Sequence, residues 1–144
     1  MLIREVMTES VVTGSPQASV REIAGLMRER NVGSVVLVNG SRAVGFITDR
    51  DIALSVVADG RSPEDRASDH ASSPVITAEP DMDVEEAGEL MMRHGVRRLV
   101  VVSGGALAGV VTLDDLATRG LAAELSARVT RAALPDYFFH PRGG

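Results

Sequence analysis

Residues 45–51 (GFITDRD) and 109–115 (GVVTLDD) place the same side chains at the same spacing, a glycine, a threonine three residues on, and an aspartate three beyond that. A hydroxyl and a carboxylate one helical turn apart can serve two ends. At the first turn of a helix, Thr48 with Asp51 and Thr112 with Asp115 form a capping box worth about 1 kcal/mol, satisfying free N–H groups and opposing the helix dipole. Facing a cleft, the same pair offers a hydroxyl and helix N–H groups to a phosphate, and a carboxylate to the two hydroxyls of a ribose. Gly45 and Gly109 would let a ligand approach the backbone closely. Spacing alone leaves both uses open.

The elements that must position these residues are themselves duplicated. Laying residues 12–53 on 76–117, a lag of 64, gives 14 identities in 42 ungapped positions, where composition alone gives about three. The chain is an internal tandem repeat. In each copy a β-branched entry (11–13, then 75–77) stops before Pro16 or Pro80, as a strand leading into a turn does. Val20, Ile23, Ala24 and Met27, and then Val84, Ala87, Gly88 and Met91, follow the i, i+3, i+4, i+7 spacing of an amphipathic helix. Asn31 and Gly95 suit the left-handed position after each helix. Two apolar strands joined by NGSR or SGGA predict a hairpin, and the second strand runs into a further helix, over 49–59 and then 113–133.

The expected fold class is therefore α/β, two repeats of strand, helix, strand, strand, helix packed as one module, since neither has enough apolar surface for confident folding alone. The expected divisions are 1–60 for repeat 1, 61–74 for a polar surface linker and entry to repeat 2, 75–131 for repeat 2 and 132–144 for the tail. That tail carries Tyr137, Phe138 and Phe139, three of the four aromatic residues. Such concentration predicts docking, on the chain's own core or on a partner subunit.

Composition removes several functions. All fifteen basic residues are Arg, so a Walker phosphate loop and Schiff-base chemistry, both of which need a lysine, are excluded. A net charge of −5 and a single adjacent basic pair, Arg97 and Arg98, disfavour nucleic acid as a partner. A hydrophobic fraction of 44% describes a globular chain, and apolar runs such as 99–102 are strand-sized, so no membrane association is expected. Arg4 and Glu5 interrupt any secretory core, and the absence of cysteine suits the cytoplasm. His70, His94 and His140 share no metal-ligand spacing and are expected in surface or cap roles. With G-x-S-x-G and H-E-x-x-H both missing, no catalytic residues are assigned and an enzyme is not expected. The methionines fit core or interface packing.

From REVMT at residues 4–8 to about residue 120, the arrangement resembles a pair of CBS domains, the tandem called a Bateman module, in which G-h-h-[ST]-x-x-D is the adenosine-nucleotide signature. That resemblance implies nucleotide clefts between the repeats. Asp51 and Asp115 would take ribose hydroxyls, Thr48 and Thr112 phosphate, Val12, Thr13, Ile76 and Thr77 the adenine, and Val32 and Val96 would line the pocket. It also implies a homodimer that senses AMP, ADP or ATP, needs no cofactor, and signals to an unidentified protein partner. The competing expectation is a ligand-free structural or protein-interaction module. The copies differ at the motif: Arg50 gives the first a guanidinium for phosphate, where the second has Leu113 and Asp114. Phosphorylated ligand is therefore expected to prefer the first. Arg97 and Arg98, leading into a strand beside the opposite cleft, either complete a phosphate clamp or stand solvated. VMTES at 6–10 becomes HASSP at 70–74, losing the family's Met-Thr.

Overall fold

The apolar stripe of the first repeat forms helix α1, Val20–Arg30, begun by Ser19, whose hydroxyl accepts the Glu22 N–H at 3.1 Å, and ended by Asn31 at φ 54°. The computed structural model that displays it describes residues 1–73, 75–119, 127, 128, 130 and 131. Ile23 and Met27 are buried as the stripe predicts, whereas Ala24 at its margin is exposed. They pack on a sheet ordered β1-β2-β3, with β1 at Thr13–Gly14, β2 at Ser34–Asn39 and β3 at Arg42–Thr48. Strand β1 is parallel to β2, and β2 and β3 form the expected antiparallel hairpin, with Val36 opposite Phe46. Gly40 turns it at φ 64°, the positive value that a two-residue hairpin needs. Val35, Val36 and Leu37 are buried in succession, as in a strand covered on both faces. The entry expected over 11–13 is shorter and shifted, with Thr13 and Gly14 as its paired residues and the Val12 carbonyl accepting from Val36.

Residues 10–75 with 104–107 make up this unit. Its helix after β3 changes character: α2, Asp49–Asp51, is one α-helical turn, and Ile52–Ala58 continues as a π-helix. The Arg61 N–H closes it on the Val56 carbonyl at 2.8 Å, five residues back. The supposed linker is also partly interior. Ala67 opens a 3₁₀ turn, Ala67–Asp69, and is fully buried; its N–H bonds the Ala18 carbonyl at 2.7 Å, and Ser72 exchanges two backbone bonds with Phe46 at 2.9 and 3.1 Å.

The second unit comprises residues 1–9 and 76–103 and, among the described residues, those from 108 onward. Strands β4 (Thr77–Ala78), β5 (Arg98–Ser103) and β6 (Ala106–Thr112) form its sheet in that order, with β4 parallel to β5. Helix α3, Val84–His94, runs from an Asp83 cap to Gly95 at φ 62°, and α4, Leu113–Arg119, follows β6. Val84, Ala87, Met91, Leu99, Val101, Val111, Leu113 and Leu116 form the core together with Ile3 and Val6. The 3₁₀ turn Ile3–Glu5 hydrogen-bonds Ile3 N–H to the Met82 carbonyl at 2.8 Å, and Thr8 exchanges backbone bonds with Val110 at 2.9 and 3.0 Å.

Each sheet is thus completed by the segment that precedes the other repeat in sequence. The partners obey the same lag, since 72 − 8 and 110 − 46 are both 64. The tail, with Tyr137, Phe138, Phe139 and His140, lies outside the described residues, as do residues 120–126 of the helix expected over 113–133. Among the described residues no helix is long and apolar enough to cross a membrane.

Candidate functional site

Both T-x-x-D motifs fold as reciprocal boxes at a strand-to-helix junction. Thr48, extended at φ −114°, donates its N–H to Asp51 Oδ2 at 2.8 Å and accepts the Asp51 N–H on Oγ1 at 3.1 Å. Thr112 and Asp115 repeat this in the second unit at the same 2.8 and 3.1 Å. Each junction is also anchored to the start of the neighbouring strand, through Asp49 N–H to the Gly33 carbonyl at 2.9 Å and Leu113 N–H to the Arg97 carbonyl at 2.8 Å. All four side chains are half-buried.

The boxes leave hydrogen-bonding groups over. Each threonine oxygen accepts, so its hydroxyl proton is still available for donation; each carboxylate has engaged Oδ2 and keeps Oδ1 as an acceptor. A cap and a ligand contact are therefore chemically compatible in one residue pair. Every junction presents one donor and one acceptor beside a helix start.

The remaining predicted residues divide cleanly between the units. Val12 and Val32 pack against the first core, and Ile76 and Val96 against the second. The carbonyls of Val12 and Ile76 accept from Val36 and Val100 at 3.0 and 3.1 Å, so sheet pairing uses that backbone. Thr13 and Thr77 are exposed, Arg50 and Arg97 half-buried, and Arg98 exposed at the start of β5. The space beside Gly45 and Gly109 is filled by the chain itself. A Cβ on Gly45 would lie 3.3 Å from Leu37 Cδ1 and 3.5 Å from Ala71 Cβ; one on Gly109 would lie 2.7 Å from the Thr8 carbonyl oxygen and 3.1 Å from Met7 Sδ. Met7 and Ala71 occupy matching positions in VMTES and HASSP, 64 residues apart.

The copies also differ next to the box. Asp49 is exposed and its Oδ1 accepts the Arg50 N–H at 2.8 Å, whereas Leu113 at the matching place is a core residue at 2% exposure, with Asp114 exposed beside it. Asp49 was not among the predicted site residues, although a carboxylate at the first helical position is a readable signal. A cleft of about 460 Å3 in the second unit, lined by Met92, Ala127, Arg128 and Arg131, contains none of the predicted residues. Among the described residues no group of three or more His, Asp or Glu side chains is placed to hold a metal ion.

One expectation is corrected. His70, expected at the surface or in a cap, is buried at 9% exposure. Its ring is held by Asp65, which pairs with Nε2 at 2.9 Å, and by Ser55, whose Oγ lies 2.9 Å from Nδ1, so burial leaves no nitrogen unpaired. Sequence offered no sign of this, because Ser55 stands 15 residues away on an element of irregular period.

Known proteins show the same duplication. The CBS domain model matches residues 3–58 and 67–121, and the two starts again differ by 64. The CBS domain-containing protein YhcV of Bacillus subtilis is 38% identical over 122 residues, covering 85% of this chain and 87% of that one. An uncharacterized protein of Methanopyrus kandleri is 46% identical over 117 residues, which are 79% of this chain; the match spans only 60% of that relative's length. Among solved structures, a CBS domain protein from Pyrobaculum aerophilum complexed with AMP is similar at a TM-score of 0.78 and 33% identity, over 88% of this chain and 99% of that one. Two repeats at one lag, a sheet and a boxed helix start in each, and a matching family model over both place this chain in the CBS domain family, as a tandem pair.

Proposed function

We propose that the chain is a regulatory module that binds an adenosine nucleotide, AMP, ADP or ATP, at the T-x-x-D junctions and relays occupancy to a protein partner. The observation that carries this reading is the pair of groups the boxes leave over, a threonine hydroxyl to donate and Asp51 or Asp115 Oδ1 to accept. Vicinal ribose hydroxyls match a carboxylate oxygen, and a phosphate oxygen matches the hydroxyl with the helix N–H groups. The similar Pyrobaculum aerophilum protein complexed with AMP supports the ligand class. In this proposal Val12, Thr13, Ile76 and Thr77 take the base, and Val32 and Val96 line the pocket. Arg50, Arg97 and Arg98 serve phosphate, and the first junction holds phosphorylated ligand better because Asp114 repels it at the second. The module acts as a cytoplasmic homodimer without catalysis of its own.

A second reading has its own observation: the boxes are complete without a ligand, as a purely structural cap would be. A thermal-shift and calorimetry panel of AMP, ADP and ATP separates them. At 100 times its dissociation constant a ligand adds about 2.7 kcal/mol to the native state, whereas a ligand-free interaction module keeps its melting temperature throughout. Equal loss of ATP affinity in Asp51→Ala and Asp115→Ala would refute the preference for the first junction.

A further inference from the structure

The His70 contacts contain a proton count. Ser55 Oγ lies 2.7 Å from the Asp51 carbonyl oxygen, which can only accept, so the single hydroxyl proton of Ser55 is donated there. Ser55 therefore meets His70 Nδ1, 2.9 Å away, as an acceptor, and Nδ1 must carry a proton. The Asp65 carboxylate, 2.9 Å from Nε2, asks for a second ring proton. All three contacts exist together only when the ring is doubly protonated. With one proton gone, Nε2–H stays with Asp65 and Nδ1 becomes an acceptor, and the hydroxyl that turns to meet it leaves Asp51.

We propose that His70 is a proton-sensitive positioning residue for the first T-x-x-D junction, holding the Asp51 backbone through Ser55 when protonated and releasing it when neutral. The Ser, His and Asp side chains do not make a nucleophile, because the serine proton points to a carbonyl and away from the ring. The charged groups on the elements around the ring are Asp65 itself, Arg61 at 3.5 Å from the same Asp65 oxygen, the Arg66–Asp69 pair at 3.8 Å, and Asp51, held by Thr48. The device belongs to one repeat, since the matching positions of the other unit, 64 after Ser55 and 64 before His70, are Arg119 and Val6. Its effect on ligand binding rests on the proposed role of Asp51; the proton relay itself does not.

The test uses the full chain, isotopically labelled and followed by NMR from about pH 5 to 8, the range in which histidines titrate. The Asp51 carbonyl carbon and the His70 ring signals should move with one midpoint, and in Ser55→Ala the carbonyl should stop following while the ring still titrates. A carbonyl that ignores His70 in the wild type, or follows it unchanged in Ser55→Ala, overturns the proposal. Adenosine then serves as a ligand with no phosphate to titrate. Its affinity should fall about fivefold between pH 5.5 and 8, the lower end of coupling between sites, and His70→Gln should abolish that dependence. An affinity indifferent to pH in the wild type overturns the functional half. If neither adenosine nor AMP binds, the nucleotide reading fails, and the carbonyl titration still decides for or against the relay.

Discussion

At the scale of the residue, Thr48 and Asp51 form a helix cap and, in the proposed function, a ligand contact, and one substitution can separate the two. Asp51→Ala removes the acceptor of the Thr48 N–H and should cost about 1 kcal/mol in urea unfolding, the usual value of a cap. Asp51→Asn keeps an oxygen at that place and should stay within about 0.5 kcal/mol of the wild type, because asparagine accepts as aspartate does. Both should lose AMP affinity at least tenfold, since a hydrogen bond to a charged group is worth about 1.5–3 kcal/mol. Calorimetry beside unfolding distinguishes the duties: binding by Asp51→Asn at wild-type affinity would confine Asp51 to capping. The box was legible from T-x-x-D alone, because its partners are three residues apart and helical spacing brings them together. His70 was not, because its partner Ser55 sits on a π-helix whose side chains follow neither of the regular periods.

At the scale of the element, the glycines before each box are set by chain crossings. The entry segments run alongside β3 and β6 as isolated backbone pairs, Ser72 with Phe46 and Thr8 with Val110. Gly109→Ala would drive a Cβ to 2.7 Å from the Thr8 carbonyl oxygen, a contact that only backbone movement relieves. It should destabilise by about 1–3 kcal/mol, as overpacking does. Gly45→Ala meets the end of the Leu37 side chain at 3.3 Å, which can give way, so its cost in the same urea titration should be the smaller. Equal costs would show that the crossing does not set the requirement. The amphipathic helices, the hairpins and the left-handed ends at Asn31 and Gly95 were legible beforehand, being written in local spacing. The departure from α- to π-helix after Asp51 was not, since no local period in the sequence marks it.

At the scale of the whole molecule, the two compact units do not coincide with two consecutive halves of the chain. Residues 1–9 belong to the unit that holds the second repeat's sheet, and residues 61–75 to the unit that holds the first. Ile3 is fully buried among Val84, Met91 and Leu99, so Ile3→Ala should cost about 2–5 kcal/mol, the range for emptying a core site. Hydrogen exchange should place the loss first in the amides of α3 and β5 rather than in α1 and β2; a loss confined to the first repeat would contradict this assignment. By itself the sequence determined the duplication, the order of elements in each copy and the two boxes, because each of these lies in a local period or in one fixed lag. Only the tertiary structure decided which sheet each entry segment completes, what fills the space at Gly45 and Gly109, and that His70 is interior. Those outcomes depend on residues brought together from far apart in the chain, and a lag that relates two copies to each other does not say which copy supplies the neighbour.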